Sequence, residues 1–184
     1  MTKRGKFIVI EGGDGSGKSS VMAYLKDMLA NERVIFTHEA GGTPAGSEIR
    51  SVILEHECAP ETELLLFSAD RAHHLDTLIR PALAKGAHVI CDRFSASTYA
   101  YQVHGGSASI KKLFAVVDDT VVGKTHPDLY IYLDVPPKIA RKRMQQRGRA
   151  DRIEIRPEAF HEKVRRGYHA YLRALPHVVI DATE

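Results

Sequence analysis

The sequence predicts an α/β fold in which a five-stranded parallel sheet lies between two layers of helices. Two observations carry this prediction. Short apolar runs, rich in Val, Ile, Phe and Tyr, alternate along the chain with longer amphipathic stretches. A glycine-rich loop directly follows the first apolar run. Such alternation is typical of βαβ units, whose strands run parallel and are covered by helices.

The predicted strands share a run of three to five mostly apolar residues, too short for a helix, and are expected to be buried on both faces. They comprise residues 7–10, 34–36, 88–91, 129–133 and 178–180. Between them, Val21, Leu25, Met28 and Leu29 repeat with helical spacing just after the first strand. Further helices are predicted at residues 62–84 (a long helix with Pro81 near its end), 109–122, 137–144 and 157–175.

The loop after the first strand matches the phosphate-binding pattern G-x-x-x-x-G-K-[ST]. Its glycines allow backbone N–H groups to approach phosphate oxygens closely, and the following helix adds a favourable dipole. Lys18 is expected to reach the β- and γ-phosphates, and Ser19 to ligate Mg²⁺. The predicted ATP-binding residues of this segment are Gly12, Gly13, Asp14, Gly15, Ser16, Gly17, Lys18, Ser19 and Ser20.

Asp92 ends the third predicted strand, the position at which P-loop enzymes place an acid near the metal. Together with Ser19 it is the predicted metal-binding pair. The combination predicts a P-loop NTPase three-layer sandwich. No Asn-Lys-x-Asp segment is present in the sequence, which argues against a GTPase that selects guanine in that way.

Composition and charge restrict the class of protein. The 184 residues are 43% hydrophobic and 27% charged, which is typical of one globular domain and not of a disordered chain. No apolar stretch approaches the length that a bilayer requires, and the basic start lacks the apolar core of a signal peptide, so a cytoplasmic protein is expected. A net charge of +3 is too balanced for a nucleic-acid-binding surface, and Cys58 and Cys91 lie outside any metal or redox spacing.

Five ordered segments, from about residue 7 to residue 182, resemble the thymidylate kinases of the nucleoside-monophosphate kinase group. These segments are the phosphate loop with its acid Asp14; H-E-A-G-G-T at 38–43 with Ile49-Arg50; E-L-L-L-F-S-A-D-R at 63–71; D-R-F at 92–94 with S-T-Y-A-Y-Q at 97–102; and L-D-V-P-P at 133–137 with Arg143 and R-G-R-A-D-R-I-E at 147–154. Two positions depart from the family pattern: His38 stands where the family often has Arg, and Ala40 where it often has Pro.

The resemblance implies transfer of the ATP γ-phosphoryl group to dTMP. It implies that Arg50 and Arg93 hold the acceptor phosphate, which suits a guanidinium fork. It also implies that Phe67 stacks on thymine and that Tyr101 lies beneath the sugar. The remaining implied acceptor contacts are Asp14, Glu39, Arg71, Ser97, Thr98 and Gln102. From the residues alone, a surface helix charge for Arg50, a core aromatic for Phe67 and helix packing for Tyr101 remain alternatives.

The basic segment around residues 141–156 resembles the lid of these kinases. Gly15 stands where some relatives have a basic residue, so the resemblance implies that the lid supplies the transition-state arginine. The candidates are Arg147, Arg149 and Arg152, of which Arg149 and Arg152 are closest to the lid's centre. Arg143 resembles the residue that packs over adenine. Lys18, Arg93, Asp14, Arg149 and Arg152 form the predicted catalytic set. The alternative for the segment is a solvated basic helix face.

The resemblance therefore predicts a single kinase domain over residues 1–184, with ATP, dTMP and Mg²⁺ as its ligands and a homodimer as its assembly. Two alternatives remain open: a kinase for another pyrimidine nucleotide or a deoxynucleoside, and a non-catalytic nucleotide-binding relative.

Overall fold

A computed structural model describes residues 3–148 and 151–184. Five strands form one parallel sheet in the order β2-β3-β1-β4-β5, which confirms the predicted α/β fold. The strands are β1 (Phe7–Gly12), β2 (Val34–His38), β3 (His88–Asp92), β4 (Leu129–Asp134) and β5 (His177–Asp181). Each contains its predicted apolar run and extends one or two residues further toward its carboxyl end.

The helices pack on both sides of this sheet. They are α1 (Lys18–Met28), α2 (Pro44–Glu55), α3 (Pro60–His74), α4 (Arg80–Ala84), α5 (Ser95–Thr98), α6 (Ala108–Val122), α7 (Pro137–Arg147) and α8 (Glu158–Leu172). The sequence prediction omitted α2 and α5. Among the described residues, no helix is long and apolar enough to cross a bilayer.

The predicted long helix at 62–84 is interrupted by a π-helical turn, Leu75–Ile79, between α3 and α4. The N–H of Arg80 bonds the carbonyl of Leu75, five residues back, at the end of this turn. Pro81 follows immediately and has no N–H to donate, and its ring would crowd the carbonyl four residues earlier. The wider turn accommodates the proline without ending the helical path.

Two hydrophobic clusters of the core lie on opposite faces of the sheet, and a third packs α3 against α6 around Leu64 and Phe114. A large cluster on one face joins β1, β3 and β4 to α8, where Tyr132 and Tyr168 stack with their ring centroids 5.0 Å apart. A smaller cluster on the other face packs Ile10, Ile90 and Leu133 against Met22 of α1. These contacts fix α1 directly beyond β1.

The prediction that every strand is buried on both faces was wrong for β5. All five of its residues are exposed, including Val178, Val179 and Ile180 at 43–48%. The reason is its position, because β5 is the last strand of the sheet and pairs only with β4 in the part of the chain that is described. An apolar run alone does not distinguish an edge strand from a central one.

The order of the strands determines where a ligand can bind. β1 lies between β3 and β4, and the connections from β1 and β3 leave the sheet at the same carboxyl edge. In open parallel sheets, the crevice at this point is where ligands bind. The glycine-rich loop and the segment after Asp92 therefore meet there.

Candidate active site

The phosphate loop connects β1 to α1, as predicted. Gly15 and Gly17 have φ values of 76° and 91°, in the left-handed region that favours glycine. A Cβ atom at Gly15 would lie 2.4 Å from the carbonyl oxygen of Ala140, so this position excludes a side chain. The basic residue that some relatives carry there has no room in this chain.

Lys18 is buried at the first turn of α1 and folds back over the loop. Its Nζ donates hydrogen bonds to the carbonyl oxygens of Gly12 and Gly13, at 2.9 and 3.1 Å. Burial, followed by the positive charge of Arg93, lowers the pKa of Lys18 from 10.5 to about 8. The ammonium group is therefore held, at a cost to its charged form, at the site where phosphate is expected.

Asp14 is clamped between two residues from the segment after β3. Arg93 Nη2 lies 2.5 Å from Asp14 Oδ1, and the hydroxyl of Tyr101 donates to Asp14 Oδ2 at 2.7 Å. Burial alone would raise the pKa of Asp14, but Arg93, Lys18 and the Tyr101 hydrogen bond outweigh it and lower that pKa. Arg93 adopts a φ of 71°, which is rare for a residue with a side chain and consistent with a functional position.

Glu11, which the sequence analysis overlooked, supports this arrangement from inside the sheet. Its carboxylate accepts hydrogen bonds from the N–H of Phe94 at 2.9 Å and the hydroxyl of Ser97 at 2.7 Å. Burial raises the pKa of Glu11 to about 7, against the opposing effects of Ser97 and Arg93. The signal that could have revealed it is the one used for Asp92: an acid at the end of a buried strand.

Tyr168 of α8 is a second supporting residue absent from the predictions. Its hydroxyl lies 3.2 Å from the carbonyl oxygen of Gly12 and 2.8 Å from Ser97 Oγ, and Arg93 Nη1 donates to it at 3.1 Å. The side chain is fully buried. It therefore fixes the Arg93 guanidinium and the first loop glycine relative to each other.

The oxygens of Asp92 and Ser19 fit a magnesium ion. Asp92 Oδ1 is a buried atom without a hydrogen-bond partner among the described residues, and Ser19, on α1, lines the same cavity as Asp92. A buried, unpartnered carboxylate oxygen is costly unless a cation or water satisfies it. Oxygen ligands of this kind are those that Mg²⁺ prefers.

One cavity of about 470 Å³ extends from the loop to α2, α3 and the segment after β3. Most predicted site residues line it: Asp14, Gly15, Ser16, Gly17, Lys18, Ser19, Ser20, Glu39, Arg50, Phe67, Arg71, Asp92, Arg93, Ser97, Thr98, Tyr101, Gln102 and Arg143. Gly12 and Gly13 instead contribute the carbonyl oxygens that hold Lys18.

The far wall of the cavity is built around Arg71 of α3. Its guanidinium is buried and donates to Glu39 Oε2 and to Thr98 Oγ1, both at 2.9 Å. His74, one turn further along, contacts the other oxygen of Glu39 at 3.0 Å. Phe67 lies one turn before Arg71 and is half-buried at the same wall. An aromatic face and a fixed guanidinium thus share one side of the cavity.

Comparison with known proteins identifies the family. The thymidylate kinase family model matches residues 10–184. The chain belongs to the thymidylate kinase family. A thymidylate kinase of Pseudomonas fluorescens is 44% identical over 187 residues, covering 98% of this chain and 89% of its own length. Those of Bdellovibrio bacteriovorus and Thiobacillus denitrificans are 44% and 42% identical, covering 97% and 100% of this chain and 89% and 92% of their own. Thymidylate kinases are nucleoside-monophosphate kinases, so both the predicted family and the P-loop fold are confirmed.

Within this thymidylate kinase fold, two predicted residues make contacts that the sequence did not suggest. Arg152 lies toward α2 and α3, where it donates to the Ile53 carbonyl at 2.8 Å and to Glu63 Oε1 at 2.6 Å. Arg143, expected over adenine, lines the cavity while it donates to the carbonyls of Ala182 and Glu184. Arg149 lies outside the described residues, so its role in transfer stays a prediction.

Proposed function

We propose that this protein transfers the γ-phosphoryl group of ATP to dTMP, giving ADP and dTDP, with Mg²⁺ as the metal. The observation that carries the proposal is a single cavity with a phosphate loop at one end and an aromatic and guanidinium wall at the other. The family membership and the relatives named thymidylate kinase support dTMP as the acceptor.

At the donor end, the proposed work is charge neutralisation. We infer that Lys18 and the loop N–H groups contact the β- and γ-phosphates, and the position of the lysine over the loop supports this. Asp92 and Ser19 would hold Mg²⁺, which when bound supplies positive charge at the phosphates. Phosphoryl transfer needs such alignment and neutralisation more than covalent chemistry from the protein.

At the acceptor end, we propose that Arg50 and Arg93 bind the dTMP phosphate and that Phe67 stacks on the base. Arg50 is exposed and bonded only to the carbonyl of Ala40 among the contacts described, at 3.2 Å, so it is available to an anion. Arg93 is fixed by Asp14 and Tyr168 next to the loop. No general base is required, because the attacking phosphate oxygen is already ionised.

The alternatives gain no support from the comparisons. A cytidine nucleotide would set an amino group against the donors of Arg71, and a nucleoside acceptor would leave Arg50 and Arg93 without a phosphate to bind. Burial disfavours the charged form of Lys18, and a non-catalytic relative gives no reason to keep a lysine in the loop at that cost.

The deciding experiment measures ADP release with ATP and Mg²⁺ against dTMP, dUMP, UMP, dCMP and thymidine in turn. We expect dTMP to give the highest kcat/KM. A protein that turns over none of these acceptors would refute the kinase proposal, and equal values for dTMP and thymidine would refute phosphate recognition by Arg50 and Arg93. The variant Lys18→Ala is the matched control for contaminating kinase activity.

We also propose that the protein acts in the cytoplasm as a homodimer, with residues 141–156 forming a lid over ATP. The dimer rests on the family resemblance and on Val52, Leu65 and Val116, which are exposed at 44–59% on the adjacent helices α2, α3 and α6. Exposed apolar residues on neighbouring helices suit an interface between copies. Analytical ultracentrifugation of the protein and of Val116→Glu tests this, with a shift to monomer expected for the variant.

A further inference from the structure

Gln102 borders the acceptor end of the cavity and is held from behind by a buried carboxylate. Its Nε2 donates to Glu63 Oε2 at 3.0 Å, and both side chains are buried, at 7% and 3% exposure. Gln102 lines the cavity, whereas Glu63 does not. The second oxygen of Glu63 accepts from Arg152 at 2.6 Å. Glu63 therefore contacts Gln102 and Arg152 but would not contact a nucleotide bound in the cavity.

The chemistry of this pair determines which end of the amide is free. A carboxylate paired with an arginine can only accept hydrogen bonds, whereas a glutamine amide has a donor end and an acceptor end. Gln102 must therefore turn its NH₂ toward Glu63, and its oxygen is left for the cavity. With both groups buried, turning the amide around would set its oxygen against the carboxylate, an unfavourable contact.

We propose that Glu63 is a specificity-determining positioning residue, which orients the Gln102 amide so that its oxygen meets the acceptor base. This proposal rests on the proposed function. The ring N–H at position 3 of thymine or uracil would donate to that oxygen. Cytosine has a lone pair at position 3 and would meet the oxygen with repulsion. Glu63 thus selects for bases with a ring N–H, although it does not touch them.

Arg71 makes a separate contribution, since its donors suit a carbonyl oxygen at position 4 of the base rather than an amino group. It is bonded to Glu39 and Thr98 and not to Glu63 among the contacts described. A change at Glu63 therefore alters discrimination through Gln102 while the Arg71 contribution stays constant.

The test compares dTMP, dUMP and dCMP with the wild type and Glu63→Gln. Residue 63 is then isosteric but can donate as well as accept, so the Gln102 amide can turn around. We expect the dTMP-to-dCMP ratio of kcat/KM to fall by about tenfold or more, with the dTMP-to-dUMP ratio unchanged. Calorimetric Kd values without ATP should show the same shift, independently of turnover.

Two further variants separate the amide from the ion pair. Arg152→Met removes the arginine that is hydrogen-bonded to Glu63, leaves Arg156 Nη2 at 3.9 Å from Glu63 Oε1, and does not touch the amide contact. We expect it to keep the wild-type base ratio whatever happens to kcat. In a Gln102→Ala background, Glu63→Gln should change the ratio no further.

If Glu63→Gln does not fold, as judged by circular dichroism, Glu63→Asp replaces it, because the shorter carboxylate cannot hold the amide at 3 Å.

The outcomes distinguish this inference from the function beneath it. A wild-type ratio in a folded Glu63→Gln or Glu63→Asp protein that phosphorylates dTMP would overturn the role of Glu63 alone. An equal fall with Arg152→Met would also overturn it, because the ion pair and not the amide would then set the ratio. If the wild-type protein neither binds nor phosphorylates dTMP, the proposed function itself is overturned.

Discussion

Replacing Lys18 with Met should abolish transfer and, at the same time, stabilise the free protein. Lys18 is 8% exposed and carries its charge inside the loop. Methionine keeps most of the buried stem but removes the ammonium group. In the proposed function Lys18 neutralises negative charge in the transition state, so we expect kcat to fall about 100-fold or more.

The magnitude of the stabilisation follows from the lysine's pKa. The displacement from 10.5 to about 8 corresponds to roughly 3 kcal/mol against the charged lysine at neutral pH. Methionine loses the hydrogen bonds to Gly12 and Gly13, at about 1 kcal/mol each. Each carbonyl oxygen keeps a hydrogen-bond donor, because Gly12 still accepts from Arg93 and Tyr168, and Gly13 from the N–H of Ser16. The net gain is about 1 to 2 kcal/mol, or about 2 to 8 °C in Tm for a chain of this size.

The pH dependence gives this prediction its sharpest test. The folded protein binds fewer protons than the unfolded chain between about pH 8 and 10.5, so the wild type gains stability as the pH rises through that interval. The advantage of Lys18→Met is therefore complete below about pH 8 and shrinks toward about pH 10.5. Thermal melts at about pH 7 and pH 10, with and without ATP, measure both effects. Any of three results would refute the reasoning. The variant could be less stable than the wild type at pH 7, the difference in Tm could fail to narrow at high pH, or kcat could stay normal.

Three further predictions concern other parts of the cavity. Phe67→Ala should weaken dTMP binding about tenfold or more while ATP binding persists, as calorimetry with each nucleotide would show, since the ring lies on the acceptor wall only. The raised pKa of Glu11 makes the wild type lose stability as the pH rises from about 4.5 to about 7, so Glu11→Gln should gain up to roughly 3 kcal/mol relative to the wild type over that interval. Urea unfolding curves at several pH values measure this, and a constant difference between the two proteins would contradict it. If the lid supplies the transition-state charge, alanine at Arg149 should lower kcat with little change in the KM for ATP. Wild-type kcat for alanine at each of Arg147, Arg149 and Arg152 would refute a role of the lid in transfer.

Local sequence predicted the elements whose cause is local. The apolar runs gave the five strands, and the glycine pattern gave the phosphate loop with Lys18 on α1. Helix α2 was missed although its signal is local as well: Thr43 caps it by accepting from the N–H of Gly46, and Pro44 occupies its first turn.

Helix α5 was unpredictable for a different physical reason. The side chain at its N-cap, Phe94, cannot accept a hydrogen bond, so the local sequence contains no capping signal for this helix. The carboxylate of Glu11, more than eighty positions earlier, accepts the N–H groups of Phe94 and Ser97 instead. A negative charge at a helix N-terminus is favourable, and here the charge comes from the central strand. Only the folded sheet brings the cap to the helix.

Local signals and contacts made only in the folded chain also separate the site residues that the sequence predicted from those that it did not. Residues expected to touch ATP, Mg²⁺ or dTMP are constrained by the ligand's chemistry, and that constraint produces short patterns that a sequence displays. Glu11, Tyr168 and Glu63 touch only other side chains and the backbone, so their partners are set by the fold and lie far away in the chain. Each nevertheless fixes the geometry of a predicted residue: Glu11 the hydroxyl of Ser97, Tyr168 the guanidinium of Arg93, and Glu63 the amide of Gln102. Removing only the polar group of Glu63 or Tyr168, as in Glu63→Gln or Tyr168→Phe, keeps the buried carbon skeleton but should leave the ligand contacts poorly oriented. These two variants should therefore alter selectivity and kcat.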